Sequence, residues 1–426
     1  MVDSTSLPHV FRVRQRFDTR EIEDVPGEVT AQLSGLSLGD RIRPGQSVAI
    51  AAGSRGIWRI HEIIRAMVEH VKGLGAEPFI VPAMGSHAAG RAEGQKKVLE
   101  SYGITESFCG CPIRSSMKTV VICEAAEGFA VHFDRHAHGA DHVLLCNRVK
   151  PHTQFAGEIE SGLMKMMLPG LGKHDGARVY HRAIQDFSFA RILRSVTSEI
   201  LSRCPVTAGV AIVENSAGRT AILEAIPAER IEAREKKLLV EARRLMPRLP
   251  FESADVLLID RAGKNISGTG IDVNVVGRKH HDHESAEDEY PKVRLIALRS
   301  LTPESRGNGE GMGLIEFCLT RFLEQVDVET TRINGLTSGH FTGAMTPLDY
   351  PTDRALLDVM LHQIGLTDPP DARLLWIDST QFLTEVECGA VYLAEARQRD
   401  DLEILTRPRP LPLDEAGKLP DGWFGV

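Results

Sequence analysis

Residues 147–182 read NRVKPHTQFAGEIESGLMKMMLPGLGKHDGARVYHR. The apolar run Val143–Cys146 just before them has the composition of a buried strand. The stretch then offers His152, a turn at Ala156-Gly157 and a short helical segment carrying Lys165, which Pro169-Gly170 is expected to end. A second helical piece leads to His181. A strand that empties into a glycine-punctuated turn before a helix is where α/β proteins place ligand groups. The free N–H groups of such a helix start favour an anion. His152, His174 and His181, with Lys150, Lys165 and Lys173, put more reactive chemistry here than a connection needs.

Upstream, Val48–Ala52 reads as a strand, residues 58–74 as an amphipathic helix with Ile60, Ile63, Ile64, Met67, Val68 and Val71 on one face, and 78–82 as the next strand. This βαβ unit implies a parallel sheet. Downstream the pattern restarts at 254–260, so the predicted fold is α/β, with two α/β domains of parallel-rich sheets, residues 1–250 and 251–426, and a cleft between them. The first domain is expected to hold the cofactor and the acid–base histidines, and the second to close the cleft. A helix is expected over 311–323, and the proline-rich tail from Arg407 is expected to run over the surface.

The 426 residues exceed one ordinary core, which also favours two domains. With 42% hydrophobic and 25% charged residues and a net charge of −8, the composition is that of a globular protein with no nucleic-acid or anionic-membrane partner. No apolar run approaches the roughly 18 residues of a membrane span, and no secretory leader is evident. Seven scattered cysteines fit reduced thiols in the cytoplasm. Cys109-Gly-Cys111 lacks the second pair of a zinc site.

His87, in Met84-Gly-Ser-His, and His152 both follow strands of the first domain. They form either an acid–base pair across one cleft or two histidines bonded to loop backbone. Lys165, among Leu163, Met164, Met166, Met167 and Leu168, is either a desolvated nucleophilic amine or a snorkelling lysine. His181 lacks nearby ligands at one-face helical spacing and reads alone as a surface or capping residue; His174 reads as a solvated loop residue. His280, His281 and His283, like His132, His136 and His138, are read as mobile loop histidines ahead of metal ligands. Arg55, Lys150, Lys264 and Arg278 are the basic residues placed after strands, where each either holds a carboxylate or phosphate or is a solvated charge.

The motifs MGSH at 84–87, HTQFAG at 152–157, KMMLPG at 165–170 and YH at 180–181 resemble, in order and near-matching spacing, the nickel-pincer nucleotide-dependent lactate racemases and their 2-hydroxyacid racemase and epimerase relatives. A few extra residues separate His152 from Lys165. The resemblance covers the first domain well and the second in outline. It implies an isomerase that inverts C2 of a 2-hydroxyacid by reversible hydride transfer to a nickel-pincer nucleotide (nickel with pyridinium-3,5-bisthiocarboxylic acid mononucleotide), through a 2-oxo acid. Lys165 would carry the cofactor covalently, His181 would ligate nickel, and His87 and His152 would flank C2. Arg55, Phe155, Ala156 and Gly157 would lie near the cofactor, with Arg55 also toward the substrate, and Lys264, Arg278 and Lys279 compete for the place of the prototype's substrate-contacting lysine, which has no clear match here. The partners implied are the small-molecule substrate and the cofactor's biosynthetic enzymes. Where the prototype has Asp-His-Thr-Arg-Pro, this chain has Gly53-Ser-Arg-Gly-Ile57, a substrate-side change that points away from lactate toward a larger or more polar acid such as a sugar acid. Two other classes compete with this reading: a nucleotide- or metal-binding protein without catalysis, and a lysine-dependent hydroxyacid lyase or dehydratase.

Overall fold

A computed structural model describes residues 6–53 and 56–425, the side chains of Ala89 and Thr337 aside. Arg55 lies outside the described residues. The fold is mixed α/β and divides into two units, residues 19–246 and residues 6–18 with 247–425.

The first unit is built on a five-stranded sheet in the spatial order Glu77–Pro82, Ser47–Ala52, His142–Arg148, Val206–Glu214 and Thr220–Pro227. The first four strands run parallel, and the last closes the edge as an antiparallel hairpin partner. The middle of each central strand is a run of buried, mostly apolar residues because both faces are covered. Helix Ile60–Gly73 buries Ile60, Ile63, Ile64, Met67, Val68 and Val71, the stripe read from the sequence, on one face. On the other face Leu163, Met164, Met166, Met167 and Leu168 join helix Phe189–Arg203 in a second core. A two-stranded ribbon, Thr119–Glu124 with Ala130–Asp134, stands apart from the main sheet.

The second unit has an eight-stranded sheet ordered Leu348–Tyr350, Phe317–Leu319, Lys292–Leu301, Ser253–Ala262, Leu374–Ile377, Glu385–Gly389, Val10–Gln15 and Leu402–Ile404. Its first five strands are parallel and the rest antiparallel. Val10–Gln15, assigned from sequence to the first domain, pairs with Glu385–Gly389 and Leu402–Ile404 in this sheet. Two further expectations are corrected. Residues 311–323 are not one helix, because Phe317–Leu319 is a buried strand followed by the short helix Thr320–Glu324. The tail does not simply run over the surface: Trp423 stacks on Trp376 at 5.9 Å, and Leu411 and Leu419 are buried. Among the described residues no helix is long and apolar enough to cross a membrane.

Candidate functional site

Three neighbouring parallel strands of the first unit end at Pro82, Ala52 and Arg148. His87 follows the first and His152 the third, so their loops leave the same sheet edge from strands two spacings, about 10 Å, apart. The segment 162–170 lies across this edge. Asn147 Nδ2 donates to Gly162 O at 2.7 Å, and Gly85 N donates to Gly170 O at 3.3 Å. A methyl group on Gly170 would stand 3.0 Å from Ala83 O, which makes this approach close enough to favour glycine.

His87 opens the short helical turn His87–Gly90. Its Nδ1 lies 2.7 Å from Met84 O. A carbonyl only accepts, so Nδ1 carries the proton and Nε2 keeps its lone pair in the neutral ring. Buried Gln95 holds the turn by donating to Gly85 O at 2.9 Å and to His87 O at 3.3 Å.

His152 has the opposite arrangement. Its Nδ1 accepts from Gln154 N at 3.0 Å and Phe155 N at 3.2 Å, so the neutral ring carries its proton on Nε2. The loop is held from below by Glu160, a buried carboxylate that accepts from His152 N at 2.8 Å and Gly157 N at 3.2 Å. Arg243 Nη2 compensates that charge at 2.7 Å and also donates to Gly157 O. Phe155 stacks between His152 at 4.5 Å and Phe189 at 4.0 Å, while Ala156 and Gly157 are exposed.

Lys165 is half-buried, with Nζ 5.1 Å from the Phe155 ring centre. It stands in the helical turn Leu163–Lys165, which runs directly into a π-helical turn Met166–Gly170 and the helix Leu171–Asp186. Pro169-Gly170 therefore does not end the segment. The break falls instead at Lys173, whose φ is +54°. The turn starts at Gly162 (φ +98°), and its first N–H groups, those of Leu163 and Met164, donate to Glu235, the latter at 3.1 Å. Glu235 is buried, and burial pushes its carboxyl up to about 8. Glu235 and Arg243 share one helix, Ile231–Leu245, eight residues apart, so one rigid element supports both the Lys165 turn and the His152 loop.

His181 is on the surface of helix Leu171–Asp186, yet the surrounding protein partly desolvates its ring. That desolvation, and then the charge of Lys165, lower its pKa below the ordinary imidazole value. His181 therefore stays neutral and within electrostatic reach of Lys165. Lys173, wholly buried, ties this helix to the His87 arm by pairing with Asp134 at 3.1 Å and donating to Pro82 O. Burial lowers its pKa against the pull of Asp134. His174 is exposed, with its ring beside Gly90.

The structure thus brings His152, Phe155, Lys165 and His181 together and places His87 on the same sheet edge. Lys264 and Arg278 belong to the second unit, and neither is a solvated cation. Lys264 Nζ pairs with Glu310 Oε2 at 2.6 Å. Arg278 is buried, donating to Arg294 O at 3.0 Å and to Glu316 at 3.2 Å. His280, His281 and His283 are exposed. Cys109 and Cys111 are buried thiols that burial pushes up to about 11 and about 12, which leaves them protonated and inert. Glu160, Glu235 and Arg243 were not singled out from the sequence, and Lys173 was counted there only among the cations of the stretch. Glu235 alone carried a signal there, a charge on the stripe Ile231, Leu238, Ala242 and Leu245 that faces the core.

No protein-family model matches this chain, and no curated protein matches it in sequence. Among solved structures, the chain is similar in fold to the lactate racemase apoprotein from Thermoanaerobacterium thermosaccharolyticum, with 13% identity and a TM-score of 0.51 over 86% of this chain and 94% of that one.

Proposed function

We propose that this chain is a 2-hydroxyacid racemase or epimerase that works with a nickel-pincer nucleotide in the cytoplasm. The observation that carries the reading is the pair of histidines on one sheet edge whose backbone contacts fix opposite tautomers, a lone pair on His87 Nε2 and a proton on His152 Nε2. Inversion of a carbinol needs both a group that takes the hydroxyl proton and a group that donates to the oxygen.

The residues present fit the cofactor. Lys165 offers a half-buried amine beside an aromatic stack, and His181 offers a neutral imidazole near it. Among the described residues no three side chains of metal-binding type converge, so a nickel ion on His181 would take its remaining ligands from the cofactor. Bound there, the cofactor supplies a reversible two-electron acceptor for C2.

The chain's own residues do the proton work. His87 Nε2 accepts the hydroxyl proton, and the imidazolium so formed is stabilised by its Nδ1–H bond to Met84 O. His152 Nε2–H holds the C2 oxygen as a donor. For His152 to act as base in the opposite direction, its ring must give up the amide contacts at Nδ1, so the two directions are not equivalent in their acid–base demands. The buried Phe189 and half-buried Phe155 limit water beside Lys165.

The test is the intact and peptide mass of protein produced with nickel and the cofactor's biosynthetic enzymes. The expected result is a mass addition on the peptide containing Lys165, nickel in the native sample, and loss of optical activity in at least one of a set of 2-hydroxyacids. No adduct, alongside a control racemase that is loaded in the same host, sinks the proposal. Borohydride trapping of substrate on Lys165 would favour the lyase instead.

A further inference from the structure

Strand Ser47–Ala52 runs between the two strands that lead to His87 and His152. Its Ala52 pairs with Cys146, so Gly53 comes opposite Asn147 at the middle of the edge the histidines flank. Side chains alternate along a strand. Asn147 follows Leu145 by two positions and Gly53 follows Ala51 by two. Both therefore lie on the sheet face where Leu145 and Ala51 pack with Met164 and Met166, the residues on either side of Lys165.

The amide of Asn147 is oriented by its own contact. Its Nδ2 donates to Gly162 O at 2.7 Å, and since a carbonyl only accepts, the amide oxygen is the atom turned toward Gly53. Gly53 has no side chain to cover it: a methyl group there would stand 3.3 Å from Asn147 Oδ1 and 3.5 Å from Met166 Cε. Oδ1 accepts no hydrogen bond from the described residues. Asn147 and Gly53 are only half-buried, and Oδ1 is not one of the polar atoms sealed from solvent, so a ligand lying along the edge reaches it directly.

An open acceptor with a methyl group beside it calls for a donor. On a 2-hydroxyacid held between His87 and His152 the C2 oxygen is already engaged, and the carboxylate has no proton to give. What remains is a hydroxyl elsewhere on the molecule. We propose that Asn147 is a specificity-determining residue whose Oδ1 accepts from a hydroxyl next to C2, which makes the substrate a polyhydroxylated acid. The naming of a 2-hydroxyacid rests on the racemase reading; the open acceptor does not. An acid with a methyl group in place of that hydroxyl covers Oδ1 without pairing it, and the unpaired acceptor rejects it.

Glycerate and 2-hydroxybutyrate are matched in size and differ only in carrying a hydroxyl or a methyl group on C3. In cofactor-loaded full-length protein, kcat/KM for racemisation of glycerate should exceed that of 2-hydroxybutyrate by about tenfold or more. Gly53→Ala puts a methyl group over Oδ1, leaves the Asn147–Gly162 contact in place and meets no positive φ. Asn147→Ala removes the acceptor itself. Each should bring the ratio near one, through loss with glycerate and not gain with 2-hydroxybutyrate. An undiminished mass addition at Lys165 shows in each variant that the turn has survived. Equal kcat/KM for the two acids in wild type overturns the proposal, as does a ratio unchanged in Gly53→Ala. The same ratio is read as dissociation constants by calorimetry on protein made without nickel. A glycerate preference that disappears in Gly53→Ala, in protein that never takes an adduct, keeps Asn147 as the hydroxyl acceptor and removes the racemase. An adduct with both acids racemised equally well does the reverse. Binding of neither acid to the loaded and the nickel-free protein alike also overturns the proposal.

Discussion

A side chain on Gly162 would stand inside the carboxylate of Glu235. The glycine lets Glu235 reach the N–H groups of Leu163 and Met164, and that contact fixes the turn that carries Lys165. Gly162→Ala adds the cost of a side chain at φ +98° to this overlap. It should destabilise the first unit by about 3 kcal/mol or more, measured by urea unfolding, and reduce adduct formation at Lys165. Unchanged stability would show that Glu235 does not brace the turn.

Glu235 also gives stability a definite pH dependence. Its folded pKa of about 8 lies above the usual carboxyl value, near 4.3 in an unfolded chain, so the folded state binds the extra proton between those limits. The contribution is complete below the unfolded value and is lost as pH rises toward 8. Wild type should therefore lose stability relative to Glu235→Gln between about pH 4.5 and 8, on the order of a few kcal/mol. Parallel pH profiles for the two proteins would contradict this.

His87→Gln should lower kcat by about a hundred- to ten-thousand-fold, with KM little changed. His152→Gln should lower it in the same range, and the two reaction directions should differ in the pH profile of kcat, though not of kcat/KM, because only His87 rests with a lone pair on Nε2. Full activity in either variant, or identical profiles in both directions, would count against the assignment.

Lys165 depresses the titration of His181, after burial itself. In Lys165→Met the His181 midpoint, followed by NMR in protein made without nickel, should rise toward the ordinary value. His181→Ala, at an exposed position, should leave unfolding within about 0.5 kcal/mol of wild type and abolish nickel retention in loaded protein. A midpoint that does not move in Lys165→Met would separate the two residues.

Lys173→Met leaves Asp134 buried and unpaired, which should cost about 3–5 kcal/mol. Asp134→Asn keeps the oxygen that caps His136 N and Ala137 N, so the double variant should recover most of that loss. Additive losses in the double variant would show that the 3.1 Å pair is not coupled.

The βαβ pattern, the stripe of helix Ile60–Gly73 and the ends of the parallel strands follow from residue periodicity, because burial on one face of a helix or both faces of a strand leaves a local signature. For the same reason the sequence by itself marked the turns that carry His87, His152 and Lys165. Tertiary structure alone decided what those side chains meet. Glu160 looks like an ordinary surface charge until its loop folds over it, and Glu235, although it lies on the buried stripe of its helix, does not reveal in the sequence the N–H groups it meets. Lys173 looks solvated until it reaches Asp134, 39 positions away in the chain, and Val10–Gln15 finds its partners more than 370 residues downstream. Such contacts are fixed by the closure of long loops and by the demand that buried polar groups be paired, and neither leaves a repeat in the sequence.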